Sequence, residues 1–315
     1  MSWGFKVSEI KRIHFELSNY CNLACPACAR DNRIKHNQQL NSEYVSLDLI
    51  QRRFLPSELT SLEVVTFSGN VDEPTIHPDL DKIVEYFCSH WENVRVDISS
   101  NGSTRNTEFW KRLGEISAKY KFHVVFAIDG LHDTNHIYRK GSDWDKIRRN
   151  YKAYLSAPGA KAVWQFVVFD HNEHQIEEAR EFSAQEGFAS FKVRYSGRRQ
   201  QEHTINVFTK ALHTESAEVI CRSQITVRTL APSIFMNYSG DIVPCCFQDL
   251  NHHFVRKEQQ KAIDAIGGKI AHNLNYADLI DIVEGDYFEY LSTIISSNNV
   301  CIKHCKENKV DSIVT

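Results

Sequence analysis

Six short runs rich in β-branched and aromatic residues recur along the first two thirds of the chain, and stretches of helical length separate them. The predicted strands begin at Arg12, Val64, Val94, His123, Ala162 and Phe191. Residues 79–91 and 172–187, between strands, have the spacing of amphipathic helices. Alternating strands and helices in this number require a parallel sheet with helical crossovers. The sequence therefore predicts an α/β fold whose sheet is either open or curled into a partial (β/α)6 TIM-like barrel.

The pattern changes after about Ser196. Residues 197–210 are polar and read as a connector, and residues 233–247 predict a β-hairpin that turns at Ser239 and Gly240. A last helix is predicted from about Tyr276 to Ser296. We therefore expect a first domain over residues 1–205 and a small α+β domain over residues 206–315.

Charge and hydropathy exclude several classes of protein. The chain has 37 Lys and Arg against 40 Asp and Glu, a formal net charge of −3, so no global positive field indicates a nucleic-acid partner. A local basic patch remains at Arg194, Arg198 and Arg199. No signal-peptide run or bilayer-length apolar run is present. We expect a cytoplasmic protein without membrane association.

Nine cysteines in a cytoplasmic protein are more consistent with metal ligands than with disulfides, because the cytosol keeps thiols reduced. Eight of them fall into three groups: Cys21, Cys25 and Cys28, then Cys221, Cys245 and Cys246, then Cys301 and Cys305. Cys88 stands alone in an apolar helical pattern and is predicted to be a buried core thiol.

The first group, in the segment "CNLACPAC", directly follows the first predicted strand. In a parallel α/β barrel this loop lies at the C-terminal edge of the sheet, where such folds place their chemistry. The thiolates of Cys21, Cys25 and Cys28 can hold three irons of a 4Fe-4S cube and leave the fourth iron open. The alternative is a zinc site completed by a distant His or Cys, or by His36.

The C-x3-C-x2-C spacing at this point resembles the radical S-adenosylmethionine (SAM) superfamily, in which the methionine part of SAM chelates the fourth iron. The resemblance implies one-electron reduction of this cluster, cleavage of SAM to methionine and a 5'-deoxyadenosyl radical, and abstraction of a substrate hydrogen. The family often has an aromatic residue before the last cysteine that packs on adenine. This sequence has Ala27 there, so other groups must hold the adenine.

The segment "FSGNVDEPTIHPDL" after the second strand resembles the family's Gly-Gly-Glu-Pro segment. The resemblance implies that Gly69 lets the backbone approach the SAM amino group, and that Glu73 or Asn70 accepts a hydrogen bond from this ammonium. Val71 and Asp72 are two extra residues before Glu73, so the SAM contact is open between Asn70, Asp72 and Glu73. The alternative is an ordinary strand-to-helix loop punctuated by prolines.

Three further segments resemble the family in the same order. "ISSNGS" matches its Thr-Asn-Gly and places Ser100 and Asn101 at the rim. "FAIDGL", with the later Tyr-Arg pair, resembles the peptide-modifying branch and implies Asp129, or the Ala127 backbone, near the ribose. Arg139 would pair with the SAM carboxylate, because a planar guanidinium suits a carboxylate.

The segment "WQFVVFDHNEHQI" matches the family's fifth strand. Its Gln165 is expected to point to the edge of the site, and Asn172 is expected to cap the next helix.

The later cysteines supply a second possible metal site. Cys221, Cys245, Cys301 and Cys305 offer four thiolates, and their arrangement around a hairpin resembles the SPASM/Twitch extension of radical SAM enzymes. The resemblance implies an auxiliary 4Fe-4S cluster of the shorter Twitch type, because a full SPASM domain needs more cysteines. Cys245 is the expected ligand, with adjacent Cys246 as the alternative. A structural zinc site with the same cysteines is the other interpretation.

Three functions follow as hypotheses. The first is a maturase that modifies a peptide by oxidation, cross-linking or epimerisation, with a flavodoxin- or ferredoxin-type reductant. The second is a dehydrogenase or epimerase of a small molecule such as a sugar or cyclitol, favoured by the short Twitch form and the lack of a peptide-binding domain before Arg12. The third is a non-enzymatic metal-binding protein.

Overall fold

The structure is a computed structural model and describes residues 5–30, 34, 43–69, 71–195, 232–246, 260, 263–264 and 268–294. Four predicted site residues lie outside these ranges: Asn70, Cys221, Cys301 and Cys305. The chain divides into a larger compact unit, residues 16–44 with 65–210, and a smaller one, residues 1–15 and 45–64 with 211–315. The predicted domain boundary between residues 205 and 206 lies outside the described ranges and stays a prediction.

Eight strands are present among the described residues: six correspond to the strands predicted in the first two thirds of the chain, and two form the predicted hairpin. They are β1 (Arg12–Phe15), β2 (Val64–Phe67), β3 (Arg95–Ser100), β4 (Phe122–Ala127), β5 (Ala162–Val168), β6 (Ser190–Tyr195), β7 (Ser233–Met236) and β8 (Ile242–Val243). In the larger unit the strand order is β6-β5-β4-β3-β2. Strands β3 to β6 pair in parallel with their neighbours, as the alternation of strands and helices predicts.

The α-helices of the described residues are α1 (Leu47–Arg53), α2 (Leu80–His90), α3 (Thr107–Lys119), α4 (Asn135–Tyr138), α5 (Trp144–Leu155), α6 (Ile176–Gln185), α7 (Leu279–Val283) and α8 (Asp286–Ile294). Short 3-10 turns span Val7–Glu9, Pro74–Ile76, Glu173–Gln175 and Gly268–His272. Side-chain caps fix where the longer helices begin: Asn106 accepts from the N–H of Phe109, and Asp143 accepts from the N–H of Lys146. No helix in the described ranges is both long and apolar enough to cross a membrane.

One face of the sheet in the larger unit, which we call the helix face, carries the core. Alternate residues of β3, β4 and β5 are buried on this side, as the period of two in a strand requires. The Phe126 ring lies 5.2 Å from that of Trp110 on α3 and 6.2 Å from that of Tyr151 on α5. Through these aromatic contacts the two helices pack against the strands.

The opposite side of the same strands, which we call the open face, carries polar residues and three valines that are only partly buried. It includes Asp97 and Ser99 on β3, His123 on β4 and Gln165 on β5. Asp97 stands opposite His123 in the strand register. The parallel strands therefore separate a packed side from a side that solvent or a ligand can reach.

Three short strands, β1, β7 and β8, belong to the smaller unit. β1 pairs in parallel with β7, and β7 pairs antiparallel with β8, which forms the hairpin predicted from the sequence. Gly240 in the turn has a φ of 84°, a conformation that glycine adopts without strain. Asp241 is buried and accepts hydrogen bonds from the side-chain amides of Asn237 (3.0 Å) and Asn273 (2.6 Å), which fixes the turn.

The prediction of one last helix from Tyr276 to Ser296 is wrong for its described part. The chain forms two helices, α7 and α8, which are interrupted at Glu284 and Gly285. A Cβ atom at Gly285 would lie 2.2 Å from the carbonyl oxygen of Asp281. The backbone therefore approaches the preceding turn more closely than any residue with a side chain permits, and this close approach separates the helices.

Candidate active site

The loop after β1 carries three cysteines that gather around one apolar cluster, which we call the thiol pocket. Its members come from this loop, from α4 and from the end of β5 and the residue after it: Cys21, Leu23, Cys25, Cys28, Tyr138, Val167 and Phe169. The structure thus brings together the three thiols of the predicted cluster motif.

A tight turn shapes the end of the cysteine loop. The N–H of Cys28 donates to the carbonyl oxygen of Cys25 at 3.2 Å, and Ala27 between them has a φ of 61°. Residues other than glycine adopt this left-handed conformation only where the surroundings impose it. Aromatic surface is supplied here by Tyr138 and Phe169, whose ring centroids lie 4.3 Å apart, and the sequence reasoning missed both.

Burial makes the thiols hard to ionise without a cation. It raises the pKa of Cys21 to about 12, and the neighbouring carboxylate of Glu73 adds to the rise. Burial also raises the pKa of Cys25 to about 11, although the guanidinium of Arg139 limits this increase. Since iron binds the thiolate, bound iron would supply the positive charge that this pocket needs.

The donor set fits a 4Fe-4S cube. Among the described residues, no three His, Cys, Asp or Glu side chains form a group that holds a single metal ion. A cube does not require such a group, because each thiolate binds a different iron and the sulfurs surround a common space. Cys21, Cys25 and Cys28 meet this requirement by packing around one cluster of side chains.

Glu73 joins the loop after β2 to the end of β3. It is only 3% exposed, and its Oε2 accepts from the N–H of Asn101 at 2.7 Å. Its Oε1 accepts from the hydroxyl of Thr75 at 2.6 Å. Burial raises the pKa of Glu73, while these donors favour its charged form and oppose the rise. The carboxylate is therefore held in place at the rim of the thiol pocket, near Cys21.

Asp72 holds the backbone that leads into the cysteine loop. Its two oxygens accept from the N–H groups of Gly69 (3.1 Å), Leu17 (3.1 Å) and Ser18 (3.3 Å). Burial and the adjacent charge of Glu73 raise the pKa of Asp72. A Cβ at Gly69 would lie 2.2 Å from the Asp72 carboxylate, so this position requires glycine. Of the three alternatives for the SAM contact, Asp72 has this structural role and Asn70 is outside the described residues.

Ser100 and Asn101 end β3 beside the cysteine loop. The amide of Asn101 donates to Oδ1 of Asn22 at 2.9 Å and lies 4.0 Å from the sulfur of Cys21. The hydroxyl of Ser100 accepts from the N–H of Gly102 at 3.0 Å. Asn22, the residue after Cys21, is a loop contact that the sequence reasoning missed.

Asp129 and Arg139 form a buried ion pair after β4. The guanidinium Nε donates to Oδ2 of Asp129 at 2.7 Å, and the two side chains are 17% and 0% exposed. Burial acts to lower the pKa of Arg139, but the charges of Asp129 and Cys25 outweigh it. Oδ1 of Asp129 accepts from the N–H of Val167 at 2.8 Å, so this carboxylate also connects β4 to β5.

Gln165 on β5 and Asn172 in the loop after it make contacts that differ from those predicted. The side chain of Gln165 lies on the open face and accepts from Nε of Arg194 at 3.2 Å. Asn172 does not cap the following helix with its side chain. Its amide instead donates to the carbonyl oxygens of Asp129 (2.7 Å), just after β4, and of Val167 (2.9 Å), near the end of β5.

The remaining described cysteines lie away from the thiol pocket in the sequence. Cys88 on α2 is 5% exposed, and burial raises its pKa to about 12, as predicted for a core thiol. Cys245 and Cys246 follow β8 in the smaller unit, and both are partly buried. The structure describes neither Cys221 nor the pair Cys301 and Cys305.

The segment that contains the cysteine loop matches a known protein family. Residues 15–183, slightly more than half of the chain, match the family model described as "Radical SAM superfamily". This range contains all three cysteines of the thiol pocket and the rim segments after β2, β3, β4 and β5.

Two curated relatives match about half of the chain. One is the Fe-coproporphyrin III synthase of Methanosarcina barkeri (strain Fusaro / DSM 804), 30% identical over 167 residues, which cover 51% of this chain and 38% of the relative. The other is the mycofactocin maturase MftC of Mycobacterium ulcerans (strain Agy99), 28% identical over 165 residues, which cover 52% and 42%. The matched segments thus span about two fifths of each relative's length.

A solved structure shares the fold over most of the chain. The crystal structure of Streptococcus suis SuiB bound to its precursor peptide SuiA superposes with a TM-score of 0.62 at 17% identity, covering 90% of this chain and 66% of that one. The predicted fold class, α/β with parallel strands in the manner of a partial barrel, is confirmed.

Proposed function

Because the chain belongs to the radical SAM superfamily and is an enzyme of that superfamily, we propose that it abstracts a hydrogen atom from a peptide substrate. The observation that carries the proposal is the thiol pocket, in which three cysteines of one loop belong to the same cluster of packed side chains. When bound there, a reduced 4Fe-4S cluster with SAM supplies the 5'-deoxyadenosyl radical that attacks the substrate. The outcome would be an oxidation, a cross-link or an epimerisation.

The rim residues have chemistry that suits SAM. Cys21, Cys25 and Cys28 would hold the cluster, and the carboxylate of Glu73 would accept from the SAM ammonium, with Gly69 allowing close approach. The role of Glu73 is supported by its burial, and that of Gly69 by the resemblance of its segment to the family. Asn70 keeps its proposed role as an alternative acceptor.

The other rim side chains would contact the rest of SAM. Asp129 would lie near the ribose, Arg139 would pair with the carboxylate, and Ser100, Asn101 and Gln165 would line the edge. Arg139 uses its Nε for Asp129, and the two terminal nitrogens of a guanidinium suit a bidentate contact with a carboxylate. The ion pair would then orient Arg139 toward the cofactor.

Two relatives support a peptide substrate, and one supports the alternative. MftC is named a maturase, and SuiB was crystallised with a precursor peptide. The Fe-coproporphyrin III synthase carries the name of an enzyme that makes a small molecule, which favours the second hypothesis, a dehydrogenase or epimerase of a small molecule such as a sugar or cyclitol. The non-enzymatic hypothesis is dropped, because the chain belongs to a superfamily of enzymes.

An auxiliary 4Fe-4S cluster of the SPASM/Twitch type is part of the proposal. Cys221, Cys245, Cys301 and Cys305 would be its ligands, with Cys246 in place of Cys245 as the alternative. The hairpin that precedes Cys245 supports the assignment, because buried hydrogen bonds fix its turn. Such a cluster would take an electron from the substrate radical, which makes the net reaction an oxidation or a cross-link. Replacement of Cys245 by Ala would then abolish the product while SAM cleavage continues.

Anaerobic reconstitution with iron and sulfide tests the enzyme. We expect dithionite and SAM to give 5'-deoxyadenosine, and Cys25→Ala to abolish it, with Cys88→Ala as the matched cysteine control. Fully assembled clusters without 5'-deoxyadenosine would contradict the proposal. We also propose a cytoplasmic location and a flavodoxin- or ferredoxin-type protein as the physiological reductant. Such a protein should be able to replace dithionite in this assay.

The peptide and small-molecule hypotheses separate in one experiment. The enzyme is co-expressed with short open reading frames that neighbour its gene. The masses of the encoded peptides are then measured by mass spectrometry. A loss of two hydrogens from one peptide, or a D-residue found by chiral amino-acid analysis in the case of epimerisation, supports the maturase if it is absent with the Cys25→Ala variant. Unchanged peptides together with product from a sugar or cyclitol would support the alternative.

A further inference from the structure

Two cations on the open face lie beside the thiol pocket and have no role in the proposed cofactor site. Lys192 and Arg194 on β6 stand opposite Gln165 and Val167 of β5 in the strand register. The ring of Phe191 contacts Trp164 and Phe166 on the helix face, at centroid distances of 6.2 Å and 5.8 Å. Because side chains alternate along a strand, Lys192 and Arg194 belong to the open face.

Arg194 is placed close to the cysteines by its neighbour in the sheet. Val167 packs against the thiol pocket, and Arg194 starts from the adjacent strand, about 4.8 Å away in the hydrogen-bonding direction. Its Nε donates to Oε1 of Gln165 at 3.2 Å. This hydrogen bond orients the guanidinium along the open face and leaves its terminal nitrogens for another acceptor.

The charge of this pair is unbalanced within the described residues. Both side chains are exposed, and no described carboxylate forms an ion pair with either of them. Two other cations near the open face are paired with carboxylates: Arg95 with Asp97 at 2.8 Å, and Arg139 with Asp129 at 2.7 Å. A guanidinium with an ammonium two residues away on the same face suits a planar anion with two oxygens.

We propose that Lys192 and Arg194, oriented by Gln165, bind the carboxylate of an Asp or Glu side chain of the peptide substrate. The ion pair would hold an acidic segment of the peptide on the open face and present the neighbouring residue to the thiol pocket. This inference rests on the proposed function, because it requires a peptide substrate of a radical enzyme.

A peptide library tests the proposal without knowledge of the natural substrate. The probe is a synthetic library of short peptides with Asp, Glu, Asn and Gln in equal amounts at varied positions. It is captured by the reconstituted, SAM-loaded enzyme at low salt and then sequenced. We expect the wild type to enrich Asp and Glu over Asn and Gln by about threefold or more, and the K192Q/R194Q variant to lose this enrichment.

A matched variant controls for the total charge of the protein. Lys111 and Lys119 are exposed on α3, which packs on the helix face, and K111Q/K119Q removes the same two positive charges. We expect this variant to keep the acidic preference. A charge-reversed K192E/R194E variant is expected to prefer Lys and Arg when the library includes them, and this gain of a new preference cannot result from misfolding.

Each of the following results would overturn the proposal or the proposed function. No acidic enrichment by the wild type, or equal enrichment by K192Q/R194Q, would overturn the proposal and leave the cations as charges that protect an edge strand. A SAM affinity at least about fivefold weaker in K192Q/R194Q, measured by equilibrium dialysis, would assign the pair to the cofactor carboxylate and also overturn it. Formation of 5'-deoxyadenosine by the wild type is measured in parallel: its absence would contradict the proposed function, whereas its presence without acidic enrichment would contradict only this inference.

Discussion

The two faces of the sheet in the larger unit are built from alternate residues of the same strands, and they have opposite compositions. On β5, Trp164 faces the helices and is fully buried, while the next residue, Gln165, lies partly buried on the open face. On β3, Ile98 faces the helices and Asp97 and Ser99 face the other way. Bulky branched residues fill the interior of a closed TIM barrel, whereas here that side mixes polar residues with three valines of β4 and β5, all only partly buried.

The contrast indicates how the fold separates stability from chemistry. Apolar burial on the helix face stabilises the sheet by about 25 cal/mol for each Å² removed from water. Polar groups on the open face add little to stability, because they keep much of their hydration. The open face is therefore free to vary with the substrate while the helix face maintains the strands that carry the rim loops.

The largest expected effect comes from Trp164. Its ring contacts those of Phe188 at 5.1 Å and Phe182 at 6.2 Å, and its Nε1 donates to the carbonyl oxygen of Ile128 at 2.9 Å. We expect Trp164→Ala to lower the free energy of unfolding by about 3–5 kcal/mol, because it leaves a cavity and an unsatisfied carbonyl group. Urea unfolding followed by circular dichroism measures the change.

The adjacent residue provides the control. Gln165→Ala should change the free energy of unfolding by less than about 1 kcal/mol, because only a partly exposed hydrogen bond to Arg194 is lost. Equal losses at Trp164 and Gln165 would contradict the division between the two faces.

The next effect concerns the rim, where the open face meets the cysteine loop. Arg139→Met removes the partner of fully buried Asp129 and leaves that carboxylate without its ion pair. We expect a loss of about 3 kcal/mol or more in unfolding free energy, since breaking a buried pair from one side is costly. The melting temperature, measured by differential scanning calorimetry, should fall accordingly.

A second ion pair of the larger unit gives the matched comparison. Arg112 and Glu85 lie 2.6 Å apart on helices α3 and α2, but their side chains are 43% and 38% exposed. Arg112→Met should cost less than about 1 kcal/mol, because solvent screens the pair. If both Arg variants lost the same stability, burial would not be the cause.

A glycine tests how closely the helices on the helix face pack. A Cβ at Gly114 on α3 would lie 2.1 Å from the carbonyl oxygen of Tyr154 on α5. Gly114→Ala should therefore destabilise the fold by about 1–3 kcal/mol, although Ala favours a helix by about 1 kcal/mol over Gly. Glu115→Ala, at an exposed position of the same helix, should change stability by less than about 0.5 kcal/mol in chemical unfolding. A stabilised Gly114→Ala variant would show that the two helices can move apart.

Sequence patterns predicted the six parallel strands well, because each strand alternates or runs apolar and is bounded by turn residues. They also predicted that Cys21, Cys25 and Cys28 share one loop, because the spacing is local. Residues brought together by several loops were beyond such reasoning. Tyr138 reaches the thiol pocket from α4 and Phe169 from the residue after β5, and nothing in either local sequence indicates that their ring centroids lie 4.3 Å apart.

Two further predictions show the limit of local signals. Asn172 precedes a helix, as a capping residue does, but its amide donates to carbonyl groups at the ends of β4 and β5. The residues from Tyr276 onward have a helical pattern, but the close approach of Gly285 to Asp281 divides it. In both cases a tertiary contact determined the outcome, and such contacts are not encoded by spacing along one segment.

The smallest expected effect is electrostatic and lies on the open face. Burial acts to raise the pKa of Asp97, but the hydrogen bond to His123 and the charge of Arg95 outweigh it and hold this pKa below its usual value. A carboxyl with a lowered pKa stabilises the folded state above its unfolded pKa of about 3.9, and this stability is lost as the pH falls through the folded pKa. At pH 7 Asp97→Asn should therefore be less stable than the wild type by less than about 1 kcal/mol, and the difference should be smaller at pH 3, because protonation of the unfolded carboxyl removes part of the stabilisation below its pKa of about 3.9. Urea unfolding of both proteins at the two pH values measures this, and high salt should reduce the difference at pH 7. A difference that grows on acidification would mean that Asp97 is stabilised in its neutral form, and the open face would then share the buried character of the helix face.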